Sequence, residues 1–329
     1  MSSRVHACED SVGVAAPAGV VYGMLADAAR WPVFLPSVVH VERLDFDGVQ
    51  ERLRMWELAD EAVNGAVWCA GRPGWFLAHP AGAAPRCPGG RVRAGGRCLA
   101  GQCDLGCVEC AVRRARRSVC WLCARNAGCR RLRTVPVPAG RRRRTCTALL
   151  AQVQQAAERW EQLDELLLSF EDRVRIEGPA ELVYDFLYRI EDWPERVPHV
   201  EWASVCEDVP GIQVASLDTC AAPGGRTVST RAVRLCFPHA GRIVYKETLT
   251  PDLIAAHSGE WSLLPDASGV TVVAAHQVML RQEAVLSVLG AGTGLLEARD
   301  HVRAWLSRAS TEALGLAKWH AESTVRRLR

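Results

Sequence analysis

The sequence lacks long apolar runs and an apolar leader. Its longest weakly polar stretch, residues 284–296, contains three glycines and is shorter than the roughly 20 apolar residues that span a bilayer as a helix. The first 14 residues have no apolar core of the kind found in a secretory signal peptide. We therefore expect a cytoplasmic protein with no membrane partner, whose 14 cysteines are free thiols or metal ligands rather than disulfides.

Lysine is nearly absent, and one segment is also short of acids. Only two of the 40 Lys and Arg residues are lysine. Residues 66–147 combine 17 arginines with two acids, which gives this segment a charge of +15 in a chain whose net charge is +3. The same segment has no isoleucine and holds ten of the 14 cysteines. Its composition therefore differs sharply from that of the sequence on either side.

The two halves of the 329-residue chain contain copies of one unit. The segment EDSVGVAAPAGVVYGMLADAARWPVFLP, from Glu9, returns as EDRVRIEGPAELVYDFLYRIEDWPERVP, from Glu171, with eleven identities in 28 ungapped positions. A chain of this length is sufficient for two domains that each bury a core. We predict two related domains at residues 1–165 and 166–329.

Each copy has the pattern of a strand followed by a short helix. Apolar residues alternate along the strand, a proline opens the helix, and a Trp-Pro pair ends it. In the second copy, further strand patterns (IQVASLDTC, RTVSTRAVRLCF, GRIVYKETL, HSGEWSLL and GVTVVAAHQVML) precede an amphipathic helix at residues 296–327. Residues 149–167 supply the corresponding helix of the first copy. This order predicts an α+β fold in which each antiparallel sheet curls around a long C-terminal helix.

These features resemble the didomain aromatase/cyclases of aromatic type II polyketide synthases, which are helix-grip proteins related to START and Bet v 1 domains. The resemblance is carried by PAELVYDFLYRIEDWPERVPHV, LLLSFEDRVRIEGPA, FPHAGRIVYKETLTP and HSGEWSLL. It implies tandem helix-grip domains and a cyclase/dehydratase that promotes intramolecular aldol closure and dehydration of a poly-β-ketone. It further implies an acyl carrier protein that bears this substrate and other synthase subunits as partners, and no cofactor.

The same resemblance implies catalytic residues in the second copy. Ser229 and Arg231 stand in the place of the family's W-x-S-x-R element, with Thr227 where the family has tryptophan. The two residues face the same side of a strand, and a fixed cation there would stabilise an enolate and polarise a carbonyl. His257 is the candidate acid or base for dehydration. Glu297 is the nearest candidate for its partner carboxylate.

Aromatic residues of the second copy are the candidate substrate-binding wall, although large aromatic side chains also serve as plain core. We expect His199 and His239 to be surface or turn residues. The candidates for the wall are Trp193, Phe237, Tyr245 and Trp261.

Residues 66–147 should supply the remaining strands of the first domain, but they show no alternation and are rich in Gly and Pro. Out-of-frame reading of a GC-rich gene produces Arg, Ala, Gly, Pro and Cys, which is the composition of this segment. Back-translated in a shifted frame, residues 69–75 can encode Arg-Trp-Thr-Ser-Arg, close to the family's element. We interpret residues 66–147 as frameshifted and not native-like. With this sequence, we predict that the first domain does not fold and that only residues 168–329 are well ordered.

Two alternatives to an enzyme remain at this point. Cys107, Cys110, Cys120 and Cys123 have the paired C-x2-C spacing of a tetrahedral zinc site, and the surrounding arginines would suit nucleic acid. Because further cysteines crowd the same stretch without a pattern, we expect no metal and no nucleic-acid partner. The first alternative is a zinc-dependent nucleic-acid-binding insert, and the second is a helix-grip protein that binds a hydrophobic ligand without chemistry.

Overall fold

The computed structural model describes residues 10–46, 50–59, 62–71, 105–106, 111–113, 117–124, 139–220 and 226–328. The chain separates into two compact units, Met1–Trp160 and Glu161–Arg329. No helix in these described ranges is both long enough and apolar enough to cross a membrane.

The first unit begins with a strand, two short helices and a hairpin. A long helix ends it, and its strands form one sheet in the order β1-β7-β5-β4-β3-β2, with β6 paired to β7. The β4–β5 pair is parallel, whereas the sequence pattern predicted antiparallel pairs. The elements are β1 (Asp10–Val14), α1 (Ala18–Ala26), α2 (Trp31–Phe34), β2 (Val38–Phe46), β3 (Gln50–Ala59), β4 (Ala62–Gly71), β5 (Leu105–Gly106), β6 (Ala111–Arg113), β7 (Arg117–Ala124) and α3 (Ala139–Glu158).

A buried core holds the described part of the first unit together. Leu53 and Met55 of β3 are fully buried, as are Leu150 and Val153 of α3. Strand β7 also pairs with β1 along five residues, as the last strand of a complete sheet should. The prediction that the first domain does not fold is therefore wrong for the described residues. Most of residues 66–147 lies outside them, and the frameshift interpretation stays a prediction.

The second unit repeats this arrangement in a complete form. Its seven strands form an antiparallel sheet in the order β8-β14-β13-β12-β11-β10-β9. The predicted α+β architecture, with the sheet against a long C-terminal helix, is confirmed. The elements are α4 (Trp160–Leu166), β8 (Leu167–Ile176), α5 (Ala180–Tyr188), α6 (Trp193–Arg196), β9 (Val200–Val209), β10 (Ile212–Cys220), β11 (Thr227–Phe237), β12 (Arg242–Leu249), β13 (Ile254–Asp266), β14 (Gly269–Leu280), α7 (Val285–Leu289) and α8 (Leu295–Leu328).

The repeated Trp-Pro pair has a structural role in both units. The indole Nε1 of Trp31 donates a hydrogen bond of 3.0 Å to the carbonyl of Met24. The indole of Trp193 donates a bond of the same length to the carbonyl of Phe186. Each indole thereby ties its short helix back to the end of the preceding helix, and burial of the ring adds apolar contact area.

Helix α8 packs along the concave face of the sheet through two separate core clusters. Near its start, Ala298, Val302 and Leu306 pack against the first residues of β8 and the end of β14. Near its end, Ala313 and Ala317 pack among residues of α5, β13 and β14. The middle of α8, residues 305–313, faces a cavity between these clusters.

Candidate functional site

The cavity in the second unit lies between the sheet and the middle of α8, and it has a volume of about 200 Å³. Its apolar walls include Ile190, Trp193 and Trp261, while exposed Arg308 lies on its rim. An apolar cavity of about 150 Å³ is enough for a benzene ring. A volume of about 200 Å³ is therefore large enough for a six-membered ring.

Strand register aligns one row of residues, four of them polar, on the concave face. Residues directly opposite each other across an antiparallel pair lie within reach of one another on the same face. Pairing through β10, β11, β12, β13, β14 and β8 aligns Gln213, Arg234, Tyr245, Gly259, His276 and Phe170 in one row.

His257 lies two residues before Gly259 on β13, and its side chain is only 3% exposed. Its Nδ1 atom lies 2.9 Å from the Oε1 atom of Glu247 on β12. A bare nitrogen lone pair would repel a carboxylate at this distance, so the proton of a neutral His257 belongs on Nδ1. Its Nε2 atom is then an acceptor, directed at the next two polar groups of the cavity.

Those two groups are Tyr245 and His276. The Tyr245 hydroxyl lies 3.1 Å from Nδ1 of His276 and 3.4 Å from Nε2 of His257. The two imidazoles are themselves 3.2 Å apart between these nitrogens. Burial, followed by the nearby charges of Glu247 and Asp172, raises the pKa of Tyr245 well above its usual value. Tyr245 therefore remains a protonated hydrogen-bond donor.

His276 connects this cluster to helix α8. Its Nε2 atom lies 2.8 Å from Oγ of Ser310 and 4.0 Å from a carboxylate oxygen of Asp172. Burial, and then the charge of His257, lowers the pKa of His276 to about 3. The ring is therefore neutral near neutral pH, with one donor nitrogen and one acceptor nitrogen.

Gly259 allows the Tyr245 ring to reach this cluster. A Cβ atom on Gly259 would lie 2.4 Å from the Tyr245 hydroxyl, 2.5 Å from its Cζ atom and 2.6 Å from the carbonyl oxygen of Ala275. These distances are far inside van der Waals contact, so the tyrosine ring occupies the space that any side chain at 259 would need.

Arg234 lines the cavity, but most of its hydrogen bonds hold helix α5 in place. Its guanidinium donates to the carbonyl of Tyr188 at 3.1 Å and to the carbonyl of Leu187. A further bond goes to Oε1 of Gln213 at 2.5 Å. A cation at a helix C-terminus stabilises the unpaired carbonyls there, so Arg234 fixes the end of α5 against the sheet.

The expectation that Ser229 and Arg231 face the substrate is corrected by the alternation of β11. Both residues are exposed, whereas Thr230, Ala232 and Arg234 line the cavity. Ser229 instead donates a 2.6 Å hydrogen bond to Asp218 on the outer face. The two residues do share a face, as predicted, but it is the convex one.

The aromatic candidates divide into two groups. Trp193, Tyr245 and Trp261 line the cavity, as predicted. Phe237 is half-buried at the end of β11 and is not among the lining residues. It falls on the opposite face of β11 from Ala232 and Arg234, which do line the cavity.

Of the three remaining polar candidates, two lie in places that the sequence did not predict. Glu297 is exposed and accepts a 2.9 Å bond from the backbone nitrogen of Gly294, so it caps the start of α8 and is not the partner of His257. His239 lies in an exposed turn, as predicted. His199, expected at the surface, instead lines the cavity with Nδ1 3.0 Å from Glu312.

The cysteine pattern cannot be placed as a site. Cys107 and Cys110 lie outside the described residues, and Cys120 and Cys123 belong to β7. Within the described part of the chain, no group of three His, Cys, Asp or Glu side chains is arranged to hold a metal ion.

Comparison with known proteins identifies the family of the chain. The sequence model of the family "Polyketide cyclase / dehydrase and lipid transport" matches residues 176–297, which include Tyr245, Glu247, His257 and His276. The granaticin polyketide synthase bifunctional cyclase/dehydratase of Streptomyces violaceoruber is 30% identical over 331 residues, which cover 95% of this chain and 93% of the relative. The chain belongs to this cyclase/dehydratase family.

Two crystal structures of di-domain ARO/CYC proteins match almost the whole chain. The di-domain ARO/CYC StfQ of the steffimycin biosynthetic pathway matches with a TM-score of 0.76 and 27% identity over 97% of this chain and 99% of its own. The di-domain ARO/CYC BexL of the BE-7585A pathway matches with a TM-score of 0.72 and 32% identity over 96% and 99%. The prediction of an enzyme of the polyketide cyclase/dehydratase type is confirmed.

Three polar residues of this cavity were missed in the sequence. Glu247 lies two residues after Tyr245 and therefore faces the same side of β12. His276 interrupts the core-facing alternation of β14, and Ser310 interrupts the apolar spacing of α8. Each is a polar residue at a position where the pattern requires an apolar one, which is the signal that could have found it.

Proposed function

We propose that the cavity of the second unit closes a ring in a poly-β-ketone by aldol addition and then removes water. The observation that carries this proposal is the contact of His257 with both a carboxylate and the Tyr245 hydroxyl inside a largely apolar cavity. In such a cavity, fixed hydrogen-bond donors stabilise developing charge more strongly than they do in water.

His257 is the proposed general base. A methylene flanked by two ketones loses a proton to Nε2 of His257, and the resulting enolate carbon forms the new bond to a second ketone carbon of the same chain. The charge of Glu247, 2.9 Å from the other ring nitrogen, stabilises the imidazolium that forms. A positioned acid or base of this kind contributes about 10²–10⁴-fold to rate.

Tyr245 is the proposed acid. As the new carbon–carbon bond forms, the electron pair of the attacked carbonyl moves onto its oxygen, which takes the hydroxyl proton of Tyr245. His257 returns its proton to Tyr245, so the addition is balanced. In dehydration, His257 removes a second α-proton, the carbon–oxygen bond breaks, and the departing hydroxide takes the Tyr245 proton to leave as water.

The cavity volume bears on how the substrate is presented. A space of about 200 Å³ holds the ring that is being closed but not a whole polyketide with its attachment, so the rest of the chain must extend past Arg308 on the rim. An acyl carrier protein that holds the substrate as a thioester fits this arrangement. We propose this carrier and the other synthase subunits as partners.

Binding without chemistry is the competing function, because the walls are apolar and the matching family is described as including lipid transport. The test compares H257Q with H239Q, a matched change at an exposed turn, using a carrier-bound poly-β-ketone. We expect H257Q to bind the carrier-bound chain with wild-type affinity and to lose 10²–10⁴-fold in ring-closure rate, while H239Q retains both. A wild-type yield of correctly closed and dehydrated ring from H257Q would favour the binding protein.

A further inference from the structure

His276 has no assigned part in the reaction outlined above, although it contacts both proposed reacting groups. It is as deeply buried as His257, with 3% exposed surface. Its ring stacks on Phe170 at a centroid distance of 4.8 Å, and Ser310 of α8 closes its far side. The groups that face it are therefore Tyr245 of β12, His257 of β13, Asp172 and Phe170 of β8, and Ser310 of α8.

The positions of the protons in this cluster follow from the negative charge of Glu247. Glu247 holds the proton of neutral His257 on Nδ1, so Nε2 of His257 is an acceptor. Nδ1 of His276 faces that acceptor at 3.2 Å and the Tyr245 oxygen at 3.1 Å. Two bare ring nitrogens would repel each other at this distance, so the proton of His276 belongs on Nδ1.

Ser310 completes this assignment. With Nδ1 protonated, Nε2 of neutral His276 is an acceptor, and the Ser310 hydroxyl, 2.8 Å away, donates to it. Nε2 of His257 and both ring nitrogens of His276 then each face a group of the opposite kind, and Nδ1 of His257 lies 2.9 Å from the Glu247 carboxylate. The alternative tautomer would leave both Nδ1 of His276 and Nε2 of His257 without a proton between them.

We propose that His276 is a positioning residue whose Nδ1–H donates to the Tyr245 oxygen, so that the tyrosine hydroxyl turns its own proton towards His257 or the substrate. This inference rests on the proposed function, since it assigns Tyr245 the role of acid. As Tyr245 gives up its proton, negative charge develops on its oxygen, and the neighbouring N–H stabilises that charge. The proton later returned by His257 restores the hydroxyl, and His276 keeps its own proton throughout.

Three variants separate the hydrogen bond from the packing. H276F keeps a flat ring against Phe170 but removes both nitrogens. H276N places an amide N–H near the position of Nδ1, whereas H276Q places one near the position of Nε2, towards Ser310. We expect kcat to fall about 10²–10³-fold in H276F, as for the loss of one donor to a developing oxyanion. H276N should recover much of this loss, H276Q should recover little, and KM should change little in all three.

The pairing with Tyr245 is tested by a double-mutant cycle. If His276 acts through the Tyr245 hydroxyl, the variant that carries both H276F and Y245F should be no slower than Y245F alone. An equal fold-loss from H276F in the presence and in the absence of the hydroxyl would overturn the proposal, as would full activity of H276F.

A second measurement does not depend on activity. Nitrogen-15 NMR of the histidine rings in the full chain near pH 7 should show His276 as the neutral Nδ1–H tautomer, with H276N and H276F used for assignment. An Nε2–H tautomer would contradict the proposal. If the tautomer is as proposed but the wild-type protein closes no ring, the proposed function fails while this geometry stands.

Discussion

Single residues of the site differ in how far the sequence reveals them. His257, Tyr245, Trp193 and Trp261 were found, because chemistry or size marks them and the structure places all four on the cavity wall. The wall position of Arg234 was not found. Its recognition requires knowledge of which face of β11 is concave, and two-residue spacing gives the pairs that share a face without saying which face that is.

Protonation of His276 ties the stability of the second unit to pH. The folded pKa is about 3 and the ordinary value is 6.5, so below pH 6.5 the unfolded chain binds a proton that the folded chain does not. Stability from this group is complete above about pH 6.5 and is lost as pH falls towards 3. The expected slope for one proton is about 1.4 kcal/mol per pH unit.

Hydrogen exchange of β13 and β14 peptides in urea, between pH 6.5 and 4, measures this slope in the full chain. The free energy of unfolding of H276F should depend less steeply on pH, by the contribution of one proton, because phenylalanine does not titrate. Equal slopes for the wild-type protein and H276F would show that His276 is not the group responsible.

Elements of the second unit were predicted more completely than its site. Five strands, from β10 to β14, and helix α8 were found from alternation and amphipathic spacing, with ends that agree to within a few residues. The division of α8 between two core clusters was not predictable, because its apolar residues continue at helical spacing through both clusters and through the cavity wall. The register of the strands, which assembles the polar row, also depends on turns that a pattern of apolar residues does not fix.

The pairing of β12 with β13 gives the most direct test of that register. G259A should displace the Tyr245 ring, since its Cβ would lie 2.4 Å from the hydroxyl and 2.6 Å from the backbone of Ala275. We expect a loss of about 1–3 kcal/mol in stability, as for other overpacked cores, together with a lower kcat. Urea unfolding and single-turnover ring closure measure the two effects.

Gly315 provides the matched control for this change. A Cβ at that position on α8 meets nothing within 4 Å, so G315A should leave activity unchanged and stabilise the helix by up to about 1 kcal/mol. If G259A behaves like G315A, the close approach of Tyr245 to β13 is not present in solution.

The whole molecule contains two copies of one fold, and the sequence of the second copy resembles the family over more of its length than that of the first. The sequence repeat and the paired Trp–carbonyl bonds relate the two units, and each unit has a sheet whose first strand pairs with its last. The function could be predicted from the sequence because the second copy retains segments that resemble the family. The fold of the first copy could not be predicted in the same way, because its central segment shows no strand pattern.

Sequencing codons 66–147 of the gene tests the frameshift interpretation.

If ring closure takes place in the cavity of the second unit, a side chain that fills this cavity should stop it. Ala309 lines the cavity, whereas Ala304 is exposed on the same helix. The measurement is the rate of ring closure by the full chain, with A309W compared with A304W after both are shown to be folded. We predict that A309W loses ring closure and A304W retains it. Wild-type ring closure by folded A309W would place the chemistry outside this cavity.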